Sequence, residues 1–306
     1  MTALSESAPD REPASSGWAG PLAQDGPRVF TIPPGAPFLT ALARGVYGAL
    51  PAGADPAALA DAQILLPTRR AARALARAFL ASGPPGAPAA IAPRIRPIGD
   101  VDEDDLDWTT GLGSGDDPTL PAALEPARRR LLLAQLVSRW GERKGEAFAP
   151  GGALALADEL ARLLDSLYTE EIDADALQTL APSDHAQHWE QSLEFLRIIT
   201  AELPAILEAD GCMDPAARRI AAIDRLATAW AGAPPAGPVI AAGSTGSAPA
   251  VARLMGVIAR APAGCVVLPG LDLEMDAAGW AAIDDPHPQM GLKRLLAALD
   301  VPREAV

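Results

Sequence analysis

Apolar and polar positions follow two different rhythms along this chain, and the change of rhythm divides it. RVFTIPP (28–34) is a short β-prone run closed by two prolines. Behind it Phe38, Leu39, Leu42, Val46 and Leu50 recur with a helical period. AQILLP (62–67) is an unbroken apolar run, which predicts a strand covered on both faces. It leads straight into a helix, TRRAARALARAFL (68–80). AAIAPRIRPI (89–98) carries prolines that restrict it to an edge strand or an extended loop. Strand, helix, strand, helix, strand is the rhythm of a parallel α/β sheet.

From about residue 120 to 230 the period is helical only, with predicted helices over 124–144, 152–168, 184–210 and 215–231. Breaks fall at Gly141, at APGG (149–152), at APS (181–183) and at Asp210-Gly211. After a linker, AGAPPAGP (231–238), the α/β rhythm returns: PVIAAG (238–243) as a strand, 248–261 as a helix, and AGCVVLPGLD (263–272) as a strand. The remainder predicts a turn and one amphipathic helix. The expectation is one α/β domain split by an inserted all-helical subdomain. Residues 28–119 and 232–306 supply its two halves, and 120–231 supply the insertion. Residues 1–27 lack the apolar core of a secretion signal and are expected to be a flexible leader. The chain stops seven residues after the last helical position, Leu299, which suggests the front of something longer.

Composition adds that a core is within reach: 49% of the 306 residues are hydrophobic and 21% charged, a balance unlike that of disordered chains. No apolar run approaches the length of a membrane helix. Cys212 and Cys265 stand too far apart in sequence for a CxxC metal knuckle, and two cysteines make no disulfide framework, so a reduced, cytoplasmic setting is expected. All but two of the 25 basic residues are arginine, the exceptions being Lys144 and Lys293.

A net charge of −14 argues against a protein that coats nucleic acid through bulk charge. The charge is segregated, however. Between Ala62 and Gly99 there is no carboxylate, while Arg69, Arg70, Arg73, Arg77, Arg94 and Arg96 all fall there. DVDEDDLD (100–107) follows at once, with six carboxylates in eight positions. At 100° per residue Arg69, Arg70, Arg73 and Arg77 share one arc of the predicted helix, and Leu75 and Phe79 face the other way. Its start at the end of a parallel strand would bring Thr68, Arg69 and the helix dipole to one anion. A solvated cationic face is the plainer alternative.

Several chemistries are excluded. A P-loop needs a lysine behind spaced glycines, and Lys144 and Lys293 are followed by Gly145 and Arg294 and preceded by no such loop. The segment after the first strand, TIPPGAPFL (31–39), offers prolines without amide protons where phosphate-binding amides would be needed. There is no G-x-S-x-G, G-x-G-x-x-G or H-E-x-x-H. Asp184, His185, His188 and Glu190 read as a helix start rather than a metal site, and no metal is expected. The acidic run lacks the ligand spacing of a calcium loop and reads as a solvated turn, or as a segment that faces a basic partner. AAGSTGSAP (241–249) fits an anion-binding turn and a tight strand-to-helix connection equally.

Taken in order, VFTIPPGAPFL, ILLPTRRAARAL, PRIRPIGDVDEDDL, PVIAAGSTGS, CVVLPGLD and DDPHPQMGLKRLL resemble the N-terminal part of AddB-type subunits of bacterial AddAB helicase–nucleases, in their alphaproteobacterial form. The resemblance runs from about Arg28 to the last residue. It implies a superfamily 1 helicase-like fold acting in double-strand break repair by recombination. It sets Pro33, Pro34 and Gly35 at a degenerate P-loop, and residues 64–70 at the segment that in active helicases touches single-stranded DNA. It sets Ala242 and Gly243 where active relatives carry a Walker B Asp-Glu pair. No catalytic residue is then expected here. DNA or partner contact is expected at Thr68, Arg69, Arg70, Arg73 and Arg77, with Arg94 and Arg96. The implied partners are DNA ends and an AddA-type motor subunit in a heterodimer, with no membrane. The iron–sulfur cluster of the family belongs to a C-terminal nuclease outside these residues. Without the resemblance, the segments also fit an α/β enzyme that holds a phosphorylated small molecule at residues 243–247 with Asp272 as acid, or a scaffold that binds only a protein.

Overall fold

The computed structural model describes residues 26–49, 56–83, 92–98, 120–145, 147–173 and 194–306. They form two compact units, each with its own apolar core. One takes the described residues from 26 to 98, 230–245 and 255–306; the other takes those from 120 to 229 and 246–254.

The first unit is α/β. Its sheet contains β1 (Val29–Ile32), β2 (Gln63–Leu66), β3 (Arg94–Pro97), β6 (Val239–Ala242) and β7 (Gly264–Pro269), all parallel, in the spatial order β1-β7-β6-β2-β3. Each apolar run has the length and β-branched content of a buried strand, and β6 is buried at every position. The proline-bearing β3 lies at one edge, where its missing amide protons leave no ladder bond unmade. Helices α1 (Phe38–Ala49) and α2 (Arg69–Ser82) cover one face. There Leu42, Val46, Leu75 and Phe79 pack on Ile64, Leu66, Ile240, Ala242, Cys265 and Val267, every second residue of three strands. On the opposite face Leu65, Ala241, Val266 and Leu268 are equally buried.

Arg28 is buried at the start of β1, where its guanidinium donates to the carbonyls of Gly264 at 2.9 Å, Pro262 at 3.0 Å and Ala261. This fixes the turn into β7. Cys265 beside it is a free thiol, pushed up to about 12 by burial.

The second unit is helical. It contains α3 (Pro126–Lys144), α4 (Pro150–Thr169), α5 (Leu203–Ala209) and α6 (Pro215–Gly232). Leu133, Leu136, Val137, Leu160, Leu164, Ile198, Ile199 and Leu203 form its core. α3 and α4 both carry proline in the first turn, where the missing amide proton costs nothing, and Gly145 closes α3 in the left-handed region at φ 78°. A wide π turn (Ile198–Glu202) precedes α5. Its cause is Pro204, whose ring collides with the carbonyl four residues back, so Leu203 N–H reaches Ile198 O instead. A two-residue parallel ladder, β4 (Ala122–Ala123) with β5 (Cys212–Met213), ties the start of α3 to the start of α6. The first part of α7 (Pro249–Arg260) belongs to this unit and its second part to the sheet unit.

After β7 the chain forms a short α8 (Ala277–Ala281), absent from the sequence expectation, and then α9 (Met290–Leu299). Lys293 on α9 donates to the carbonyls of Trp280, Ala281 and Ile283 at 2.8, 3.0 and 3.3 Å. A cation on the last carbonyls of α8 is favourable to its dipole. Among the described residues no helix is long and apolar enough to cross a membrane.

Candidate nucleic-acid interface

The arginine face of α2 is built by a division of labour within one helix. Ala72, Leu75 and Phe79 are buried on the sheet, and the Tyr47 hydroxyl donates to Phe79 O at 3.2 Å from α1. With that side fixed, Arg69, Arg70, Arg73 and Arg77 are exposed together on the other side. Arg73 Nε donates to Arg69 O at 3.4 Å. Among the described residues no ion pair reaches Arg70, Arg73 or Arg77, as expected of a stretch without carboxylates. Thr68 is the helix cap: its hydroxyl oxygen accepts from Ala71 N at 3.1 Å. One of its acceptor positions is therefore committed to α2, and its proton is the group it can offer an anion.

Arg94 and Arg96 do not join this face. Ile95 packs in the layer of α1 and α2, so its neighbours on a period-two strand project from the opposite side of the sheet. Arg94 is exposed and Arg96 half-buried.

At the carboxyl edge of the sheet, the loop after β1 is a tight turn. Ala36 N donates to Pro33 O at 3.3 Å, with Pro34 and Gly35 as its central pair and Gly35 at φ 85°. Proline followed by a positive-φ glycine is the signature of a type II turn, which leaves no cradle of amides for phosphate. Thr31 seals the next position by accepting from Leu271 N at 3.0 Å. On the neighbouring strands Ala242 is fully buried against the α1–α2 layer. Gly243 stands at φ 72°, and a Cβ there would lie 3.2 Å from the Phe38 ring and 3.8 Å from Pro67. The space in which a carboxylate from either position would project is filled by hydrocarbon.

Asp272 is likewise committed. Its Oδ1 accepts from Glu274 N and Met275 N, both at 2.9 Å, and its own amide donates to Gln289 Oε1 at 3.2 Å. It builds a turn rather than standing free as a strand-end acid. Ser244 and Gly246 both have partners of their own. The acidic run 100–107 and the group Asp184, His185, His188 and Glu190 lie outside the described residues. Cys212 is a second free thiol, half-buried in β5.

Two charged clusters escaped the sequence reading. Arg129 of α3 places Nε 2.7 Å from Asp214 Oδ2 and Nη2 2.9 Å from Asp165 Oδ1 of α4. The Nε–H is not aimed along the first contact, which is an ion pair without hydrogen-bond geometry. Asp214 Oδ1 accepts from Ala216 N at 2.9 Å and so caps α6. Burial pushes the Asp214 carboxyl above its ordinary range, against the smaller pull of Arg129. Burial also raises Tyr168. In the second cluster Arg253 grips Glu171 at 2.8 and 2.5 Å and Asp224 at 2.7 to 3.0 Å. The Arg253 hydrogen bonds hold the Glu171 carboxyl below its usual range. The signal for both was an arginine inside an otherwise apolar helical period, and its partners lie too far away in sequence to be paired by inspection.

No protein-family model matches this chain, and no curated protein matches it.

Proposed function

We propose that this chain is a helicase-like region of the AddB type, without motor chemistry of its own, that binds DNA and an AddA-type motor subunit during recombinational repair of double-strand breaks in the cytoplasm. One observation carries the reading: four arginines exposed on one face of a helix, in a protein of net charge −14. Maintaining such a row free of carboxylates against an acidic background fits a surface that meets phosphates. The parallel sheet and the separate helical unit support the fold half of the proposal. The filled edge at Pro33, Pro34, Phe38 and Gly243 supports the loss of nucleotide chemistry.

The test is a fluorescence-anisotropy titration of the full chain with a tailed duplex over a range of salt concentrations. Replacing Arg69, Arg70, Arg73 and Arg77 by Ala should weaken binding and flatten the dependence of log K on log salt. If all four meet phosphates of one strand, the slope changes by about 3. An unchanged affinity and slope overturn the DNA half. The motor-subunit half fails if the chain does not co-purify with that subunit.

A further inference from the structure

The arginine face of α2 does not end in a charge. Leu80 is 67% exposed, more than any other large apolar side chain among the described residues, while Leu75 and Phe79 of the same helix are 0% and 1% exposed. Helical geometry places Leu80 about 20° from the bearing of Arg69 and roughly 4.5 Å along the axis from Arg77. It therefore continues the row Arg69–Arg73–Arg77 rather than the core side of the helix. The other exposed apolar residue on a helix with arginines is Leu131, whose neighbours Arg128 and Arg130 are neutralised by Asp210 and Asp158. The cations nearest Leu80, Arg73 and Arg77, have no ion pair among the described residues and are exposed.

We infer that Leu80 is a base-contacting residue: a strand whose phosphates follow Arg69, Arg73 and Arg77 lays the face of an unpaired nucleobase on the Leu80 side chain. This rests on the phosphate reading of the α2 face. The row is roughly 12 Å long, and a stacked strand presents a phosphate about every 3.4 Å, so it addresses three or four phosphates of one strand. A duplex offers the same charges but keeps its base faces stacked inside. Of the two, only an unpaired strand offers charge along the row and an apolar surface at its end. Leu80 would thus separate single strand from duplex, a distinction that the arginines alone do not make. An acidic protein segment with apolar side chains would satisfy the arginines and Leu80 equally, and is the occupant left if the chain binds neither nucleic acid.

The experiment uses the full chain with an oligothymidylate and a blunt duplex, each about 20 units long, spanning more than one site. Leu80→Ala should weaken oligothymidylate binding about five-fold, no more than the low end of what stacking on an aromatic ring is worth, with the salt slope unchanged and duplex binding unaltered. Leu80→Trp should tighten oligothymidylate binding and lose indole fluorescence on binding it. Leu80 lies on the surface, so both variants are expected to fold. Equal weakening on both nucleic acids, or no change in either variant, overturns the Leu80 inference. If the fourfold arginine variant still lowers affinity, the phosphate reading survives that result. If the arginine variant also binds like the original protein, or the original protein binds neither nucleic acid, both fall together.

Discussion

Removing the Arg129 side chain tests how the helical unit is held, because its main partner has nowhere else to turn. The Asp214 side chain is 1% exposed and Arg129 10%, whereas Asp165 is 46% exposed and can be rehydrated. Arg129→Met would leave a carboxylate buried and unpaired at the start of α6, which costs about 3–5 kcal/mol near neutral pH. Asp214→Asn is gentler: the amide oxygen can still accept from Ala216 N, and Arg129 keeps Asp165, so about 1–2 kcal/mol is expected. The pH dependence fixes the sign. Burial raises the folded pKa of Asp214, so its contribution is most favourable below the unfolded value, about 3.9, and is lost as pH rises through the raised folded value. Without Arg129 the folded pKa rises further, so the cost of Arg129→Met should shrink on acidification, because a neutral Asp214 needs no cation. Combining the two substitutions should cost less than their sum by about 1–3 kcal/mol. Hydrogen exchange of the α3 and α6 amides against urea, near neutral pH and about two units lower, reads this unit alone within the full chain. Equal costs for the two single variants, strict additivity, or a cost of Arg129→Met that does not change with pH would refute the reasoning.

Three further outcomes follow from the geometry. Gly264→Ala would put a Cβ 2.0 Å from Ile258 O and 3.0 Å from Ala261 Cβ, both held by the turn into β7, so loss of more than about 3 kcal/mol is expected in thermal unfolding. Gly256→Ala meets Leu299 Cδ2 at 3.3 Å and Arg260 Nη1 at 3.7 Å, both ends of flexible side chains, and gains helix propensity, so its unfolding midpoint should hold or rise. Arg253→Lys keeps the charge but loses the fork that grips Glu171 and Asp224. The folded pKa of Glu171 is lowered, so the pair's contribution is present above the ordinary carboxylate pKa and is lost as pH falls through the lowered value. Solvent screening limits it to about 0.5–1 kcal/mol, read as faster amide exchange at the end of α4 in Arg253→Lys at neutral pH and no difference in acid.

The parallel α/β class was legible because each strand is a short apolar run and each helix carries its own period. Residues 62–67 and 68–80 are the clearest case, appearing as β2 and α2 within two residues at each end. The order of strands was not legible. That β7 separates β1 from β6 depends on which apolar runs share a neighbour, and apart from β3, whose prolines restrict it to an edge, the runs look alike in hydropathy. The β4–β5 ladder and α8 were missed because elements of two and five residues have no period to detect. The arginine face of α2 was visible from spacing alone. Its separation from Arg94 and Arg96 was not, since that depends on which side of the sheet Ile95 faces. Arg28, Lys293 and Thr68 show the same limit: their partners are backbone groups, which a sequence does not display.

The carboxyl edge of this sheet and the outer face of α2 have opposite chemistry although they begin at the same loop. Pro67 closes β2 and lies against Gly243, and the next residue, Thr68, caps the arginine helix. In open parallel sheets this edge, where neighbouring connections leave to different faces, is the customary place for a ligand. Here Phe38 and Pro67 occupy it, and the turn at Pro33 to Ala36 replaces the loop that phosphate would need. An acid placed at 242 or 243 would bury a carboxylate in the layer that holds Leu66 or Phe38, a cost of several kcal/mol. The hydrocarbon at this edge is thus part of the core rather than confined to two residues. The same packing fixes α2 through Leu75 and Phe79, and so sets the side of the helix on which its arginines are exposed. A hydrocarbon-filled edge and an exposed cationic face are two consequences of one layer of side chains.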